Sequence, residues 1–129
     1  MSNKDNIKIT IISFGYKYGI PVDANFLQDV RFLPNPYYDE TLKEKSGLDL
    51  SVREYVKRTP ASREYISRLK EFLEFYISQY FLSEKGSLTI AIGCTGGRHR
   101  SVTVACEIYN HLISCGYTAD IFHRDINKG

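Results

Sequence analysis

Short runs of β-branched and apolar residues alternate with longer segments of helical periodicity along the chain. Four runs have the length of single strands: "IKITII" (7–12), "FLQDVRFL" (26–33), "SLTIAIG" (87–93) and "YTADIFH" (117–123). Residues 60–80 and 101–115 carry apolar side chains every three or four positions, as an amphipathic helix does. This alternation predicts an α/β layered fold with a mainly parallel sheet flanked by helices.

Helix boundaries are predicted from capping residues. Ser51 and Glu54 have the spacing of a capping box and predict the start of a short helix. Thr59 followed by Pro60 predicts the start of the long second helix, with proline at its first position. Gly116 is placed to end the third helix. In the second helix we expect one apolar and aromatic face to pack in the core: Tyr65, Ile66, Leu69, Phe72, Leu73, Tyr76, Ile77 and Tyr80.

Length and composition predict one domain over residues 1–129 and exclude several classes of protein. The chain is 43% hydrophobic, but it contains no apolar stretch long enough to cross a bilayer, and its polar start "MSNKDN" does not resemble a signal peptide. We therefore expect a cytoplasmic protein without a membrane partner. Three cysteines without CxxC spacing predict reduced thiols rather than a disulfide framework or a metal site. The net charge of +2 is too small to indicate nucleic-acid binding by itself.

The segment "IGCTGGRHRS" (92–101) joins the end of a predicted buried strand to the start of a predicted helix. In open α/β sheets this edge binds ligands, and a helix start offers unpaired N–H groups to an anion. Gly96 and Gly97 allow close approach to the backbone and can adopt positive φ, while Arg98, His99 and Arg100 add donors and charge. This order predicts a phosphate or similar anion site. The simpler alternative is that the glycines only turn the chain and the basic side chains are solvated.

A catalytic alternative uses the same loop. Cys94, Arg100 and Ser101 match the pattern C-x5-R-S, which resembles the phosphate loop of cysteine-dependent tyrosine phosphatases. There a thiolate attacks phosphorus, the arginine binds the equatorial oxygens and an aspartate protonates the leaving group. However, Gly93 stands where those enzymes usually carry histidine, and no aspartate lies in a recognisable acid loop. We therefore predict that the chain is not an enzyme, with phosphatase activity as the alternative.

Longer motifs carry a closer resemblance. The segments "SFGYKYG", "DVRFLPNPYYD", "GLD" and "IGCTGGRHRSV", in this order and at these separations, resemble the carboxy-terminal domain of the RapZ family of RNase adapter proteins, also described as P-loop nucleotide-binding proteins. The likeness extends over residues 7–124, nearly the whole chain. It is far more specific than the six-position phosphatase pattern.

The resemblance implies a fold and a function. The fold would be similar to the sugar-phosphate-binding part of phosphofructokinases. The function would be to sense glucosamine-6-phosphate and to bind small regulatory RNA, which such proteins present to an endoribonuclease. Lys17, Thr95, Gly96 and Arg100 would contact the sugar phosphate, and Cys94 and His99 would shape the loop.

Three departures from the family accompany the resemblance. The chain lacks G-x4-G-K-[ST], so its residues do not predict an ATP site, and nucleotide binding would need a partner P-loop domain. Tyr37 follows "PNP" where the family can have histidine; its phenol can donate to a sugar hydroxyl but carries no positive charge. The final "FHRDINKG" is poor in the basic residues of RNA-binding members. The tripeptide 123–125, "HRD", matches the kinase catalytic loop by chance, because the other kinase motifs are absent.

Together these arguments predict a phosphosugar-sensing regulatory module without a metal or other cofactor. The predicted ligand-binding residues are Lys17, Tyr37, Cys94, Thr95, Gly96, Gly97, Arg98, His99, Arg100 and Ser101. The predicted RNA-binding residues are Arg98, Arg100, Arg124 and Lys128. Because the net charge is low, self-association into a homo-oligomer is a further hypothesis.

Overall fold

A computed structural model describes residues 7–83 and 86–128. Four parallel strands form one sheet in the order β2-β3-β1-β4: β1 (Lys8–Gly15), β2 (Phe26–Asp29), β3 (Ser87–Cys94) and β4 (Ala119–His123). The two central strands, β1 and β3, are the most apolar runs of the sequence, because layers cover both faces of a parallel sheet. The predicted α/β fold with a parallel sheet is confirmed.

The register brings the carboxyl ends of the strands to one edge. Gly15 of β1 lies opposite Cys94 of β3, and Asp29 of β2 lies opposite Gly93. On the other side, Ser13 of β1 lies opposite His123 of β4. The loops that leave β1, β2 and β3 therefore start beside one another. In the sequence their starts are far apart, since the paired residues Gly15 and Cys94 are separated by 79 positions. This edge holds the candidate site.

Three helices flank the sheet: α1 (Leu50–Val56), α2 (Pro60–Leu82) and α3 (Arg100–Ser114). Helix α3 packs on β1, β3 and β4 and also contacts α1 and α2. Ile108 and Leu112 of α3 and Leu73 and Ile77 of α2 are fully buried. Each such side chain contributes about 1.5–3 kcal/mol relative to leaving it exposed, so the α2–α3 contact is a main part of the core.

Two of the predicted helix boundaries are confirmed. The Thr59 hydroxyl accepts a hydrogen bond from the Ser62 N–H at 3.0 Å and caps α2. Helix α3 ends before Gly116, whose φ of 93° is left-handed and whose N–H donates to the Ile113 carbonyl at 3.0 Å.

The predicted capping box of the first helix is wrong. Helix α1 starts at Leu50, one residue earlier than Ser51, and its N-cap residue is Asp49. The Asp49 carbonyl accepts the first helical bonds, from Val52 and Arg53. Its carboxylate instead accepts from the Ser46 N–H at 2.9 Å, so the preceding turn determines where the helix begins.

The aromatic face of α2 is only partly in the core. Ile66, Leu69, Leu73 and Ile77 are buried as predicted. Phe72 was predicted to be in the core, but it is 47% exposed and packs with Phe26 and Tyr76 at ring separations of 5.8 and 6.0 Å. The difference arises because β2 is a short edge strand and leaves the outer side of this face uncovered. Among residues 7–83 and 86–128, no helix combines the length and apolar character that crossing a bilayer requires.

Candidate anion-binding site

A cavity of about 570 Å³ lies at the carboxyl edge of the sheet. It is lined by Lys17, Tyr18, Asn35, Tyr37, Tyr38, Lys43, Glu44, Cys94, Thr95, Gly96, Arg98, His99, Arg100 and Lys128. Eight of the ten residues predicted to bind a ligand are in this wall; Gly97 and Ser101 are not, because they lie beneath it. The fold thus brings together the loops after β1, β2 and β3 and a residue near the carboxyl terminus.

The wall is strongly cationic. It contains five lysine and arginine side chains, Lys17, Lys43, Arg98, Arg100 and Lys128, and one acidic side chain, Glu44. His99 adds no charge near neutral pH, because burial, with Arg98 and Arg100 as lesser causes, lowers its pKa. The small net charge of the whole chain therefore conceals a local positive cluster, which suits an anion.

Arg100 lies at the base of this cluster, in the first turn of α3. It is only 5% exposed, and its guanidinium donates to the backbone carbonyl of Arg31 and to the Thr95 hydroxyl, the latter at 3.3 Å. Its buried Nε–H has no hydrogen-bond partner among the described residues. A buried donor without an acceptor costs about 1–3 kcal/mol.

The two loop glycines do different things. Gly97 has a φ of 77°, and a Cβ there would lie 2.6 Å from the Gly15 nitrogen and 2.9 Å from the Asp125 Cβ, so it packs against β1. Gly96 does not have positive φ, and a Cβ there would meet no atom within 4 Å. Of the two reasons predicted for glycine, positive φ thus applies to Gly97, and an open approach to the backbone applies to Gly96.

Arg98 and His99 connect the start of α3 to the backbone of residues 43–45. Arg98 donates to the carbonyls of Glu44 and Lys45, and His99 Nε2 lies 3.1 Å from the Lys43 carbonyl oxygen. We call residues 43–47 the strap, since they cross the start of α3. Gly47 completes the contact, because its N–H donates to the Arg98 carbonyl at 2.9 Å. These two side chains therefore position the strap, and part of their hydrogen-bonding capacity is already used.

Asp125 supports the loop from below. It is fully buried and accepts hydrogen bonds from the Gly15 N–H and from Lys128, both at 2.8 Å, and from Arg124. Burial alone would raise the pKa of Asp125, but these hydrogen bonds bring it down to about 2. Asp125 of the "HRD" segment thus has a structural role that the sequence analysis missed. The available signal was an acidic residue between two basic ones, at 124 and 128.

Cys94 and Ser101 form a buried pair. The Cys94 thiol donates to the Ser101 hydroxyl with a separation of 3.2 Å, and Ser101 is fully buried. The only carboxylate in the described cavity wall is that of Glu44.

The remaining predicted residues lie at the rim. Lys17 is exposed in a short 3-10 turn after β1, with its ammonium 5.5 Å from the Tyr18 ring centre. The Tyr37 ring is 53% exposed and has the Lys43 ammonium over it at 4.7 Å. Lys128 also faces the cavity, whereas Arg124 is not part of the wall and donates to the Gly19 carbonyl. Sequence reasoning missed Lys43 and Glu44, because only the strap contact brings them to this edge.

A comparison with protein families matches residues 7–127 to the model of the RapZ C-terminal domain. The chain belongs to the RapZ C-terminal domain family. The resemblance drawn from the motifs is thereby confirmed, and the RapZ match includes every wall residue except Lys128.

Curated relatives of this RapZ-type chain carry the name "Nucleotide-binding protein". One from Caldicellulosiruptor bescii is 51% identical over 126 residues, which is 98% of this chain and 43% of the relative. One from Alkaliphilus oremlandii is also 51% identical, with the same coverage. One from Agathobacter rectalis is 49% identical, over 99% of this chain and 45% of the relative. The chain thus spans less than half the length of these relatives.

Proposed function

We propose that the chain is a RapZ-type regulatory domain that binds a phosphosugar, with glucosamine-6-phosphate as the candidate ligand. One observation carries the proposal: a cationic cavity at the start of α3, with a buried arginine whose Nε–H has no acceptor among residues 7–83 and 86–128. A phosphate at this position would accept from Arg100 and meet the positive end of the helix dipole. Asn35 and the phenols of Tyr37 and Tyr38 provide donors for sugar hydroxyls across the cavity.

The size of the cavity supports a small ligand. About 570 Å³ is within the range of sites for small molecules and exceeds what one phosphate needs. Because Arg100 is buried, a phosphate ester can reach it only through the cavity, whereas the backbone of a nucleic acid would contact the rim. The nucleotide binding named for the relatives is a competing ligand class, and the experiment includes it.

The first experiment is calorimetric titration with glucosamine-6-phosphate, glucosamine, inorganic phosphate and AMP. We expect the phosphosugar to bind more tightly than glucosamine or inorganic phosphate, because each of these engages only the phenols or only the cationic wall. Lys17→Ala removes an exposed ammonium and should weaken binding by at least about tenfold, the equivalent of one charge-assisted hydrogen bond. Gly96→Ala should leave the fold intact and also weaken binding, because its methyl group would enter the open space of the cavity.

Arg68→Ala is the matched control. Arg68 forms an exposed pair with Glu64 on α2, so its removal changes net charge equally without touching the cavity. Unchanged affinity in Lys17→Ala and Gly96→Ala would contradict the site. Equal affinity for plain phosphate would contradict phosphosugar selectivity, and tighter binding of AMP would replace the phosphosugar with a nucleotide.

Phosphatase activity is tested separately, with p-nitrophenyl phosphate as the substrate. A specific observation keeps it as a second candidate: the Cys94 thiol is hydrogen-bonded to the Ser101 hydroxyl within a C-x5-R-S loop. Asp125 is not a general acid for this reaction, because its pKa of about 2 keeps it ionised at neutral pH. We expect no turnover of p-nitrophenyl phosphate. Turnover that is lost in Cys94→Ser, with phosphate binding retained, would favour the enzyme.

We propose RNA as the macromolecular partner, bound at the cationic rim. Lys17, Lys43 and Lys128 border the cavity and are not fully buried, so phosphates of a structured RNA can reach them. Fluorescence anisotropy with a structured RNA at several salt concentrations should give a steep decrease in affinity. Lys17→Ala or Lys128→Ala should each reduce the salt slope by about 1 if that lysine contacts one phosphate. Unchanged slopes in both variants would exclude this rim as the RNA surface.

A further inference from the structure

Three metal-ligating atoms of different chemistry meet at the other end of α3. His111 and Cys115 are one turn apart on this helix, and Glu74 faces them from α2. His111 Nε2 lies 2.9 Å from Glu74 Oε1, Cys115 Sγ lies 3.0 Å from the same oxygen, and Sγ lies 3.6 Å from Nε2. The three atoms therefore surround one point between the two helices.

The geometry is that of a chelate and not of a proton relay. A cysteine–histidine–carboxylate relay uses both ring nitrogens, one toward the thiol and the other toward the acid. Here a single atom, Nε2 of His111, faces both Cys115 and Glu74. One nitrogen that faces both groups cannot pass a proton between them. Three ligand atoms that lie around one point can, however, bind a common metal ion.

One of the three separations matches that of zinc ligands. With bonds of about 2.0–2.1 Å to nitrogen and about 2.3 Å to sulfur, a tetrahedral ion separates these two ligands by about 3.5 Å. The observed separation between His111 Nε2 and Cys115 Sγ is 3.6 Å. Glu74 Oε1 lies 2.9 Å from Nε2 and 3.0 Å from Sγ, so it needs to withdraw from both by about half an ångström. Its side chain is 45% exposed, so solvent borders it on one side.

The protein holds the two α3 ligands on a rigid backbone. Cys115 is the C-cap residue, and its N–H donates to the carbonyls of His111 and Leu112 at 3.0 and 3.1 Å. The carboxyl end of a helix is the negative end of its dipole and favours a cation.

We propose that Glu74, His111 and Cys115 bind a zinc ion, with water as the fourth ligand. A thiolate, an imidazole and a carboxylate form the mixed soft and hard donor set that borderline divalent ions prefer. The Cys115 thiol releases its proton to solvent when the ion binds, so the ligands supply two negative charges against the two positive charges of the metal. The fourth position faces the surface, since Glu74 is exposed and His111 is partly exposed.

The chain contains its own matched control. Cys106 and His123 form another cysteine–histidine pair, with Sγ 3.8 Å from Nε2. No carboxylate completes a ligand group with that pair among the described residues. His123 Nδ1 is also hydrogen-bonded to the Ser13 hydroxyl. If a cysteine–histidine pair alone were enough to bind zinc, Cys106→Ala would affect binding as much as Cys115→Ser.

The experiment uses the whole chain and two metal probes. Cobalt titration should produce a thiolate-to-cobalt charge-transfer band with the intense visible bands of a tetrahedral ion, and zinc should remove both at one equivalent per chain. Zinc affinity is measured by competition with a chromophoric chelator. Cys115→Ser and Glu74→Gln should each weaken zinc binding by at least about tenfold, because even the loss of a hydrogen bond to a ligand costs about 10- to 100-fold. Cys106→Ala should retain wild-type affinity.

Thiol alkylation gives an independent result. Zinc should protect Cys115 from iodoacetamide, as detected by mass spectrometry. Circular dichroism of the metal-free variants checks folding, and Glu74→Gln, an exposed substitution, serves as the test if Cys115→Ser is unfolded. The absence of the charge-transfer band, more than one equivalent of zinc, or equal affinity in Glu74→Gln and wild type would each overturn the proposal.

Discussion

The two ends of α3 have opposite chemistry. At the amino end, Arg98 and Arg100 are two of the five lysine and arginine side chains in the cavity wall. At the carboxyl end, His111 and Cys115 meet the carboxylate of Glu74. The first end suits an anion and the second suits a cation, which is the preference that the helix dipole imposes on each.

The ends also differ in how their residues are assembled. Six of the fourteen residues that line the amino-end cavity come from one contiguous loop, 94–100, whose shape depends on close backbone packing against β1. The carboxyl-end cluster depends on a contact between two helices, with Glu74 located 37 positions before His111. A ligand site can thus arise from a short motif or from packing alone, and only the first kind is visible as a pattern in the sequence.

The largest expected effect concerns the two left-handed glycines that flank α3. Gly97→Ala combines positive φ with a Cβ 2.6 Å from the Gly15 nitrogen, so we expect a loss of about 3 kcal/mol in the free energy of unfolding. Gly116→Ala carries the conformational cost of positive φ, about 1 kcal/mol. Urea denaturation of both variants measures the difference. Equal losses would show that the amino end is not more closely packed than the carboxyl end.

The next effect is the pH dependence that Asp125 gives to the amino end. Its pKa is lowered from 3.8 to about 2 in the folded chain, so its contribution of about 2 kcal/mol is present above about pH 5 and is lost as the pH falls toward 2. Asp125→Asn should therefore destabilise the protein at pH 7 and approach the stability of the wild type near pH 2.

Asp29→Asn is the control for this pH effect. Asp29 also pairs with an arginine, Arg31, which lowers its pKa, but both side chains are nearly half exposed. We expect a change below about 1 kcal/mol at pH 7. A stability difference between Asp125→Asn and wild type that stays constant from pH 7 to pH 2 would contradict the role given to the Asp125 charge.

The smallest expected effect is the coupling between the ends. Helix α3 has 15 residues and is about 22 Å long, so the proposed phosphosugar and zinc sites share no side chain. The increases in free energy of unfolding caused by each ligand should then add to within about 0.5 kcal/mol. Thermal denaturation with neither, one and both ligands measures this. A larger coupling would mean that α3 transmits binding from one end to the other.

Much of the fold could be predicted because its signals are local. The apolar runs of β1 and β3 and the periodicity of α2 and α3 directly reflect burial on a parallel sheet. The start of α2 after Thr59 follows from a hydrogen bond that spans three residues. The wrong predictions concern features that depend on contacts outside the helix itself. The turn before Asp49 moves the start of α1, and the short edge strand β2 leaves Phe72 exposed.

The candidate site divides in the same way. The loop 94–100 was recognised because its glycines, cations and helix start follow one another along the chain. Lys43 could not be recognised from the sequence. It reaches the cavity because Arg98 and His99 form hydrogen bonds with the strap backbone. Asp125 was missed because its partners, Gly15 and Arg124, include one that is 110 positions away.

The sequence alone therefore determined the class of fold and the family, and it predicted one loop as an anion site, because periodicity, capping and loop composition act over a few residues. Only the tertiary structure decided which distant groups meet: Asp125 beneath Gly97, the strap across the start of α3, and Glu74 against His111 and Cys115. The physical reason is that each of these contacts depends on the packing of whole elements. Burial drives that packing without specifying, in the pattern of any one segment, which polar atoms it brings together.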